Sequence, residues 1–512
     1  PGQASKIYKT YGEQAAMVVK ENPYRLARDI VGIGFKIADQ IAKNLGIPND
    51  SSHRVQAGVL YHLQELTAAG HTGYPHEALV EETAQMLDVD QSLVVREILN
   101  LTHQLEIAVE PQESLVYLAS LHHCEKNLAG LILRLVSEPC ALPPILLDKA
   151  IEWVTEKSGF EMTPAQCEAV KKALTEKLTI ITGGPGVGKT TIIQNVVRIL
   201  AQKKAKILLC APTGRAAKRL AESCSWPAKT IHRLLRFEPA THSFTFNQKN
   251  PLEADLVVVD ETSMLDVSLA YSLFSAIPPS ASVVLVGDID QLPSVGPGNV
   301  LRDIIDSKVA PVARLSEIFR QAVHSKIVAN AHRLNEGVMP EISGSGGQGQ
   351  GVGDESIENT SDFYFIQKEE PEEVARTILL LATERIPKKF GFDPVRDIQV
   401  LSPMHKGIVG VENLNRELQK ALNPAIHDSR STIHELERFG RLYRVGDKVM
   451  QLVNDYDKGV FNGDLGIIQG IDHENNTVEI RFDDVDVEFE FSDMDDVIPA
   501  YATTIHKSQG SE

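Results

Sequence analysis

Two short segments hold residue types at a spacing that does chemistry on phosphates. Gly183-Gly184-Pro185-Gly186-Val187-Gly188-Lys189-Thr190-Thr191 follows the apolar, β-branched run Leu178 to Thr182 and precedes a helical pattern. Each residue has a mechanical duty. Glycines 184, 186 and 188, with Pro185 and Val187, form a loop whose backbone N–H groups cradle phosphates, Lys189 reaches the β/γ oxygens, and Thr190 supplies a hydroxyl to Mg²⁺. The second segment is an apolar strand, Leu256 to Val259, ending in Asp260-Glu261. Asp260 is the candidate to hold Mg²⁺ through water and Glu261 to polarise an attacking water, so the pair favours hydrolysis over transfer to a bound acceptor. A third strand, Ser282 to Val286, runs into Gly287-Asp288-Ile289-Asp290-Gln291, where Gln291 is placed to sense a γ-phosphate. Upstream, Thr163-Pro164 is a helix start signal, and Gln166 behind it offers a donor and an acceptor to an adenine edge. The cofactors implied are ATP and Mg²⁺.

These residues need several elements to position them, and the chain has room for them. With 512 residues and 43% hydrophobic composition it can bury several cores, and three to five domains are expected. The net charge of −18 does not advertise a polyanion partner, so any nucleic-acid site must be local. Lys203, Lys204, Lys206, Arg215, Lys218, Arg219, Lys229, Arg233 and Arg236 fall in a stretch whose only acidic residue is Glu222. They lie at the ends of strands beside the nucleotide loop. That position suits a single-strand track better than a merely solvated helix face. A second local candidate is Gly32-Ile33-Gly34 between two apolar-periodic helical segments, a hairpin tight enough to bring backbone N–H groups against a phosphate, or else a plain inter-helix turn.

The remaining segments read more coarsely. Residues 74–155 are helical in pattern, a winged-helix or helix-turn-helix unit or a spacer packed on the motor. His242 to Asn247 alternates like a strand and is a candidate duplex-splitting hairpin, and 343–353 is a Gly-rich loop. From Arg444 to Val497 the period is two, with Asn462-Gly463-Asp464 and Glu474-Asn475-Asn476 as turns, which fits a small barrel. Its acidic strands cannot hold phosphates, so a nucleic-acid contact there falls to Lys448, Asn454 or Phe461. The five cysteines form no CxxC pair and no even framework, and no apolar run reaches the roughly 18 residues of a membrane span. A reducing cytoplasm is expected, with no membrane partner.

The strings ITGGPGVGKTT (181–191), CAPTGRAAKRL (210–220), TIHRLL (230–235), VVVDETSM (257–264), VGDIDQLPSVGPG (286–298), LSEIFRQA (315–322) and ATTIHKSQGSE (502–512) resemble the ordered motifs of the RecD-like DNA helicases of superfamily 1B. GIGFKIAD (32–39) resembles the helix-hairpin-helix region of the stand-alone bacterial type. The resemblance implies an ATP-dependent helicase moving 5′ to 3′ on single-stranded DNA, acting on duplex with a 5′ overhang, in repair or recombination, as a monomer without an obligatory protein partner. It implies that Arg320 reaches across a cleft to the γ-phosphate, and that Thr213, Gly214, Arg215, His232, Thr504 and His506 contact DNA beside Gly32 and Gly34. The expected architecture is α/β: two RecA-like P-loop lobes with an N-terminal helical region and an SH3-like β-barrel insertion. The expected bounds are 1–73 for the helix-hairpin-helix region, 74–155 for the winged-helix-like region, and 156–305 for the first lobe with its hairpin near 237–253. The second lobe is expected over 306–432 and 498–512, and the barrel over 433–497. The alternative from another class is an ATP-gated DNA clamp or assembly factor that never translocates. The start of the chain reads as trimmed. At its other end the family pattern carries a further arginine after the last motif, and no residue here takes that role, so slow ATP hydrolysis is expected of the chain as written.

Overall fold

The structure is a computed structural model that describes residues 2–30, 32–159, 161–238, 241, 243–317, 325–342, 362–424, 435–455, 458–482 and 485–509. It divides into two compact units. One holds Pro1–Ser137 with Met264–Ala276 and Pro293–Asp303; the other holds Glu138–Ser263, Ile277–Leu292 and Ile304–Glu512.

In the first unit, helices Arg25–Asp29 and Phe35–Asn44 flank the glycine turn. Leu26, Ile30 and Ile33 bury beneath it, which fixes the angle between the helices. A second core forms where helices Ser52–Ala68, His76–Leu87 and Gln91–His103 meet three strands, β1 (Gly73–Pro75), β2 (Ile107–Glu110) and β3 (Leu115–Leu118). These pair antiparallel in the order β1-β3-β2. Residues 74–155 are therefore not wholly helical. Strands β2 and β3 form an antiparallel hairpin in which Val116 and Tyr117 are buried.

In the second unit, six parallel strands run β11-β4-β10-β9-β5-β6. In chain order they are β4 (Leu178–Gly183), β5 (Ile207–Ala211), β6 (Ala228–Thr230), β9 (Leu256–Val259), β10 (Ser282–Gly287) and β11 (Val312–Leu315). The middle strands are near-continuous Val, Ile and Leu because both faces are covered by helices. Each fully buried aliphatic side chain adds about 1.5–3 kcal/mol of hydrophobic stabilisation. The sheet runs past residue 305, since β11 pairs with β4 along Val312 to Leu315. Strands β7 (Phe237–Glu238) and β8 (Ser243–Phe244) form the short antiparallel hairpin expected near 237–253.

Downstream, β12 (Val400–Ser402) pairs in parallel with β20 (Ala502–Thr504) over the helix Val411–Leu422, a second small α/β layer. Between those strands lie β13 (Glu435–Arg438), β14 (Arg441–Arg444), β15 (Lys448–Gln451), β16 (Leu465–Asp472), β17 (Thr477–Phe482), β18 (Val485–Glu490) and β19 (Val497–Pro499). β13 and β14 form a hairpin, and the other five form an antiparallel sheet, β18-β17-β16-β15-β19, closed over its own core of Tyr443, Val478, Ile480 and Phe489. The alternation of buried and exposed residues in β17 is the period of two read from the sequence. Among the described residues no helix is long and apolar enough to cross a membrane, and all five cysteines are free thiols. The 343–353 loop lies outside the described residues.

Candidate active site

Parallel sheets present their functional loops at the C-terminal ends of the strands, and that is where the phosphate-handling residues meet. The loop after β4 turns through Gly186 and Gly188, whose φ of 75° and 83° a residue with a Cβ rarely adopts. Gly183 is fixed for another reason, since a Cβ there would lie 2.4 Å from the Leu315 carbonyl oxygen on β11. Thr190 and Thr191 open the helix Lys189–Gln202, so backbone N–H groups and the positive end of the helix point into the loop. Lys189 folds back on the cradle, its Nζ donating to the Gly183 and Gly184 carbonyls at 2.6 and 2.9 Å.

Three carboxylates face this lysine from neighbouring strand ends. Asp260 and Glu261 follow β9, and Asp288 follows β10. Burial raises all three above the ordinary carboxylate range, and the Lys189 charge pulls each back; Arg219 also acts on Asp260 and Glu261. Asp260 accepts the Glu261 N–H at 2.9 Å, and Glu261 holds a left-handed backbone conformation, φ 50°. A non-glycine residue held there stores strain of order 1–3 kcal/mol. The chemistry available is a carboxylate base, raised by burial, beside a phosphate cradle. Sequence reading named Asp260 and Glu261 but not Asp288 or Arg219. The signal for Asp288 was the same strand-then-carboxylate pattern, Val286-Gly287-Asp288, and Arg219 was assigned to the basic track.

Gln166 is placed differently from its expected role. Its Oε1 accepts the Thr163 N–H and its Nε2 donates to the Val187 carbonyl at 3.0 Å, tying the Pro164–Thr175 helix to the phosphate loop. At 1% exposure it offers no edge to a base in this conformation. Gln291 is exposed in the turn that Asp288 opens, its N–H on the Asp288 carbonyl. Arg320 lies outside the described residues.

Thr213, Gly214, Arg215 and His232 lie at helix starts after β5 and β6 of the same sheet, whereas Thr504 and His506 follow β20 of the separate two-stranded sheet. Thr213 caps the helix Gly214–Cys224 by accepting the Ala216 N–H, and Thr504 caps Ile505–Ser508 in the same way through Lys507. Gly214 is buried beneath Phe461 of the barrel, whose ring lies 2.6 Å from where a Cβ would stand. His232 packs its ring against Phe237 and Phe244 of the β7–β8 hairpin. His506 is exposed, while Arg215 is half-buried and acts electrostatically on Lys448. Lys448 itself is not a surface contact: its Nζ donates to the Ile398 carbonyl at 3.0 Å, and burial lowers it to about 8. In the other unit, Gly32 has φ 89°, and a Cβ on Gly34 would meet nothing within 4 Å. The turn is thus open above its second glycine.

A phosphate loop on a parallel sheet, with carboxylates at the adjoining strand ends, defines the class of P-loop nucleoside-triphosphate hydrolases. Residues 166–297 match an AAA domain, 1–73 the ATP-dependent RecD2 DNA helicase HHH domain, and 414–482 the ATP-dependent RecD-like DNA helicase SH3 domain. The ATP-dependent RecD2 DNA helicase of Deinococcus radiodurans is 32% identical over 523 residues, covering 100% of this chain and 67% of its own. The RecBCD enzyme subunit RecD of Mycolicibacterium smegmatis is 30% identical over 382 residues, covering 69% of this chain and 65% of its own. A solved Pif1 helicase from Bacteroides, in complex with ADP-AlF3 and single-stranded DNA, overlaps 69% of this chain and 84% of its own at 20% identity, with a TM-score of 0.39. The chain belongs to the RecD-like family of ATP-dependent DNA helicases. It spans about two thirds of the length of those two relatives.

Proposed function

We propose that this chain hydrolyses ATP to move 5′ to 3′ along single-stranded DNA, opening duplex from a 5′ overhang, as a cytoplasmic monomer in repair or recombination. The observation that carries the hydrolytic part is the convergence of Asp260, Glu261 and Asp288 on Lys189 at the strand ends. Glu261 is the base that takes a proton from water, and Lys189 leaves the loop carbonyls for the β/γ-phosphates. Mg²⁺ fits the residues present, because Asp260 is a half-buried carboxylate that desolvation raises and Thr190 adds a second hard oxygen from the helix start. Bound there, it would offset charge on the phosphates.

The family pattern supplies the rest of the reading. Gln291 senses the γ-phosphate, Arg320 approaches from the second lobe, and that lobe begins only after β11 and takes in 498–512. Single-stranded DNA runs over Arg215, His232 and His506, with Thr213 and Thr504 holding the helix starts and Gly214 packed beneath Phe461, while Gly32 and Gly34 meet the duplex backbone. Nucleotide-driven closure and opening alternate the grip of the two lobes.

Biotinylated oligo-dT blocked with streptavidin at one end tests this directly. The chain is expected to clear the block from the 3′ end and to leave one at the 5′ end. Hydrolysis that clears neither would mean a nucleotide-gated clamp, and clearance of the 5′ end alone would reverse the direction.

A further inference from the structure

Beside the phosphate loop stands a residue that no motif assigned. Helix Lys326–Asn335 is held firmly: Ser325 caps it through the Val328 N–H, and the Asn330 amide binds the Glu341 backbone in both directions. One face of this helix carries His332 and, one turn on, Asn335. The His332 ring lies on Gly184, with Cε1 at 2.8 Å and Nε2 at 3.2 Å from where a Cβ would be. Asn335 donates to the Asp290 carboxylate at 3.4 Å, in the loop expected to sense the γ-phosphate. The next residue, Arg333, turns away onto the Met339 carbonyl and Glu341.

Two details give this contact a purpose. His332 Nε2 is buried and has no hydrogen-bond partner among the described residues, a costly condition for a ring nitrogen. The carbonyls that hold Lys189 belong to Gly183 and Gly184, and the ring lies on the second of these residues.

We propose that His332 is a further phosphate-contacting residue, whose Nε2 bonds the terminal phosphate of the nucleotide and lets the 326–335 helix tell a triphosphate from a diphosphate. This rests on the nucleotide-hydrolase reading above. Glycine at 184 is then needed for ring access as well as for the loop, and Asn335 carries the helix's position to Asp290.

The test titrates fluorescent mant-ADP and mant-AMPPNP, with Mg²⁺, into the full chain and its H332F and H332Q variants. Phenylalanine keeps the ring on Gly184 without the nitrogen; glutamine puts an amide nitrogen near its place. Loss of a hydrogen bond to a charged group predicts a roughly 10-fold or greater drop in triphosphate affinity for H332F, ADP affinity within about twofold of wild type, and substantial recovery in H332Q. Unchanged ADP affinity also reports that the variants fold. In the wild-type chain, the ¹⁵N resonance of His332 Nε2, assigned by its absence in H332Q, should shift with AMPPNP and not with ADP. The inference is overturned if H332F keeps the wild-type preference for triphosphate, if both nucleotides weaken equally, or if the resonance answers both alike. A wild-type chain that binds neither nucleotide would instead remove the hydrolase reading on which the inference stands.

Discussion

The nucleotide loop and the N-terminal glycine turn are both expected to meet phosphates, yet they are built on opposite principles. At the loop, charge is gathered and buried: Lys189 faces Asp260, Glu261 and Asp288, and each carboxyl is raised by the burial that makes it useful. At the turn side chains are withheld, and the space above Gly34 is empty. A small triphosphate undergoing chemistry needs side chains fixed in place before it arrives. A polymer gripped without regard to sequence needs only accessible backbone N–H groups. Substitution should therefore harm the first region by taking a group away and the second by adding one.

Removing the central cation is the strongest way to break the contrast. Lys189→Ala is expected to abolish steady-state ATP hydrolysis, a loss of roughly 10³-fold or more for a phosphate clamp of this kind. Turnover above a few per cent of wild type, measured by phosphate release with saturating oligo-dT, would remove the loop from the mechanism. Glu261→Gln separates binding from chemistry. Nucleotide affinity should hold while turnover falls by roughly 10²-fold or more, the usual contribution of a general base; weakened binding would mark Glu261 as structural.

At the glycine turn the two positions are unequal. Gly32 has φ 89° and would be strained by any side chain, whereas Gly34 has ordinary extended angles and free space. Gly34→Val is the clean experiment. Duplex affinity should fall about 10-fold, the value of one hydrogen bond to a charged oxygen, with the DNA-stimulated ATPase maximum unchanged. Unaltered affinity in a folded variant would reduce the hairpin to a connector.

The smallest expected effect concerns Lys448, which burial lowers from 10.5 to about 8. Below pH 8 the folded chain bears the full cost of a buried ammonium. Between about 8 and 10.5 the unfolded state binds more protons than the folded one, so stability rises with pH relative to Lys448→Met. Chemical denaturation of both proteins at pH 7 and 9.5 checks the sign, and a parallel pH dependence in the two would show that Lys448 is ordinarily solvated.

What the sequence disclosed follows from how local each feature is. The glycine loop, the Leu256–Val259 strand with its acids and the alternating barrel strands are contiguous strings, and they stand where the string placed them. The β2–β3 hairpin was within reach, since Val116-Tyr117 joins a β-branched and an aromatic residue behind a Pro111 turn, but it was absorbed into the helical pattern around it. The strand-then-carboxylate string marked Asp288, but its place beside Lys189 needed the knowledge that β10 lies between β4 and β9. Gln166 and Lys448 show the deeper limit. Each is a polar side chain whose partners, the Val187 and Ile398 carbonyls, stand 21 and 50 residues away, so only the assembled fold decides whether it faces a ligand or the chain itself.

The left-handed backbone at Glu261 has an evolutionary consequence. The position carries a conformational penalty and a buried carboxylate together, and both vanish if it becomes Asn or Gly, residues at ease with such a dihedral. Selection for heat resistance alone would drift toward these replacements, reaching proteins that melt later and no longer turn over.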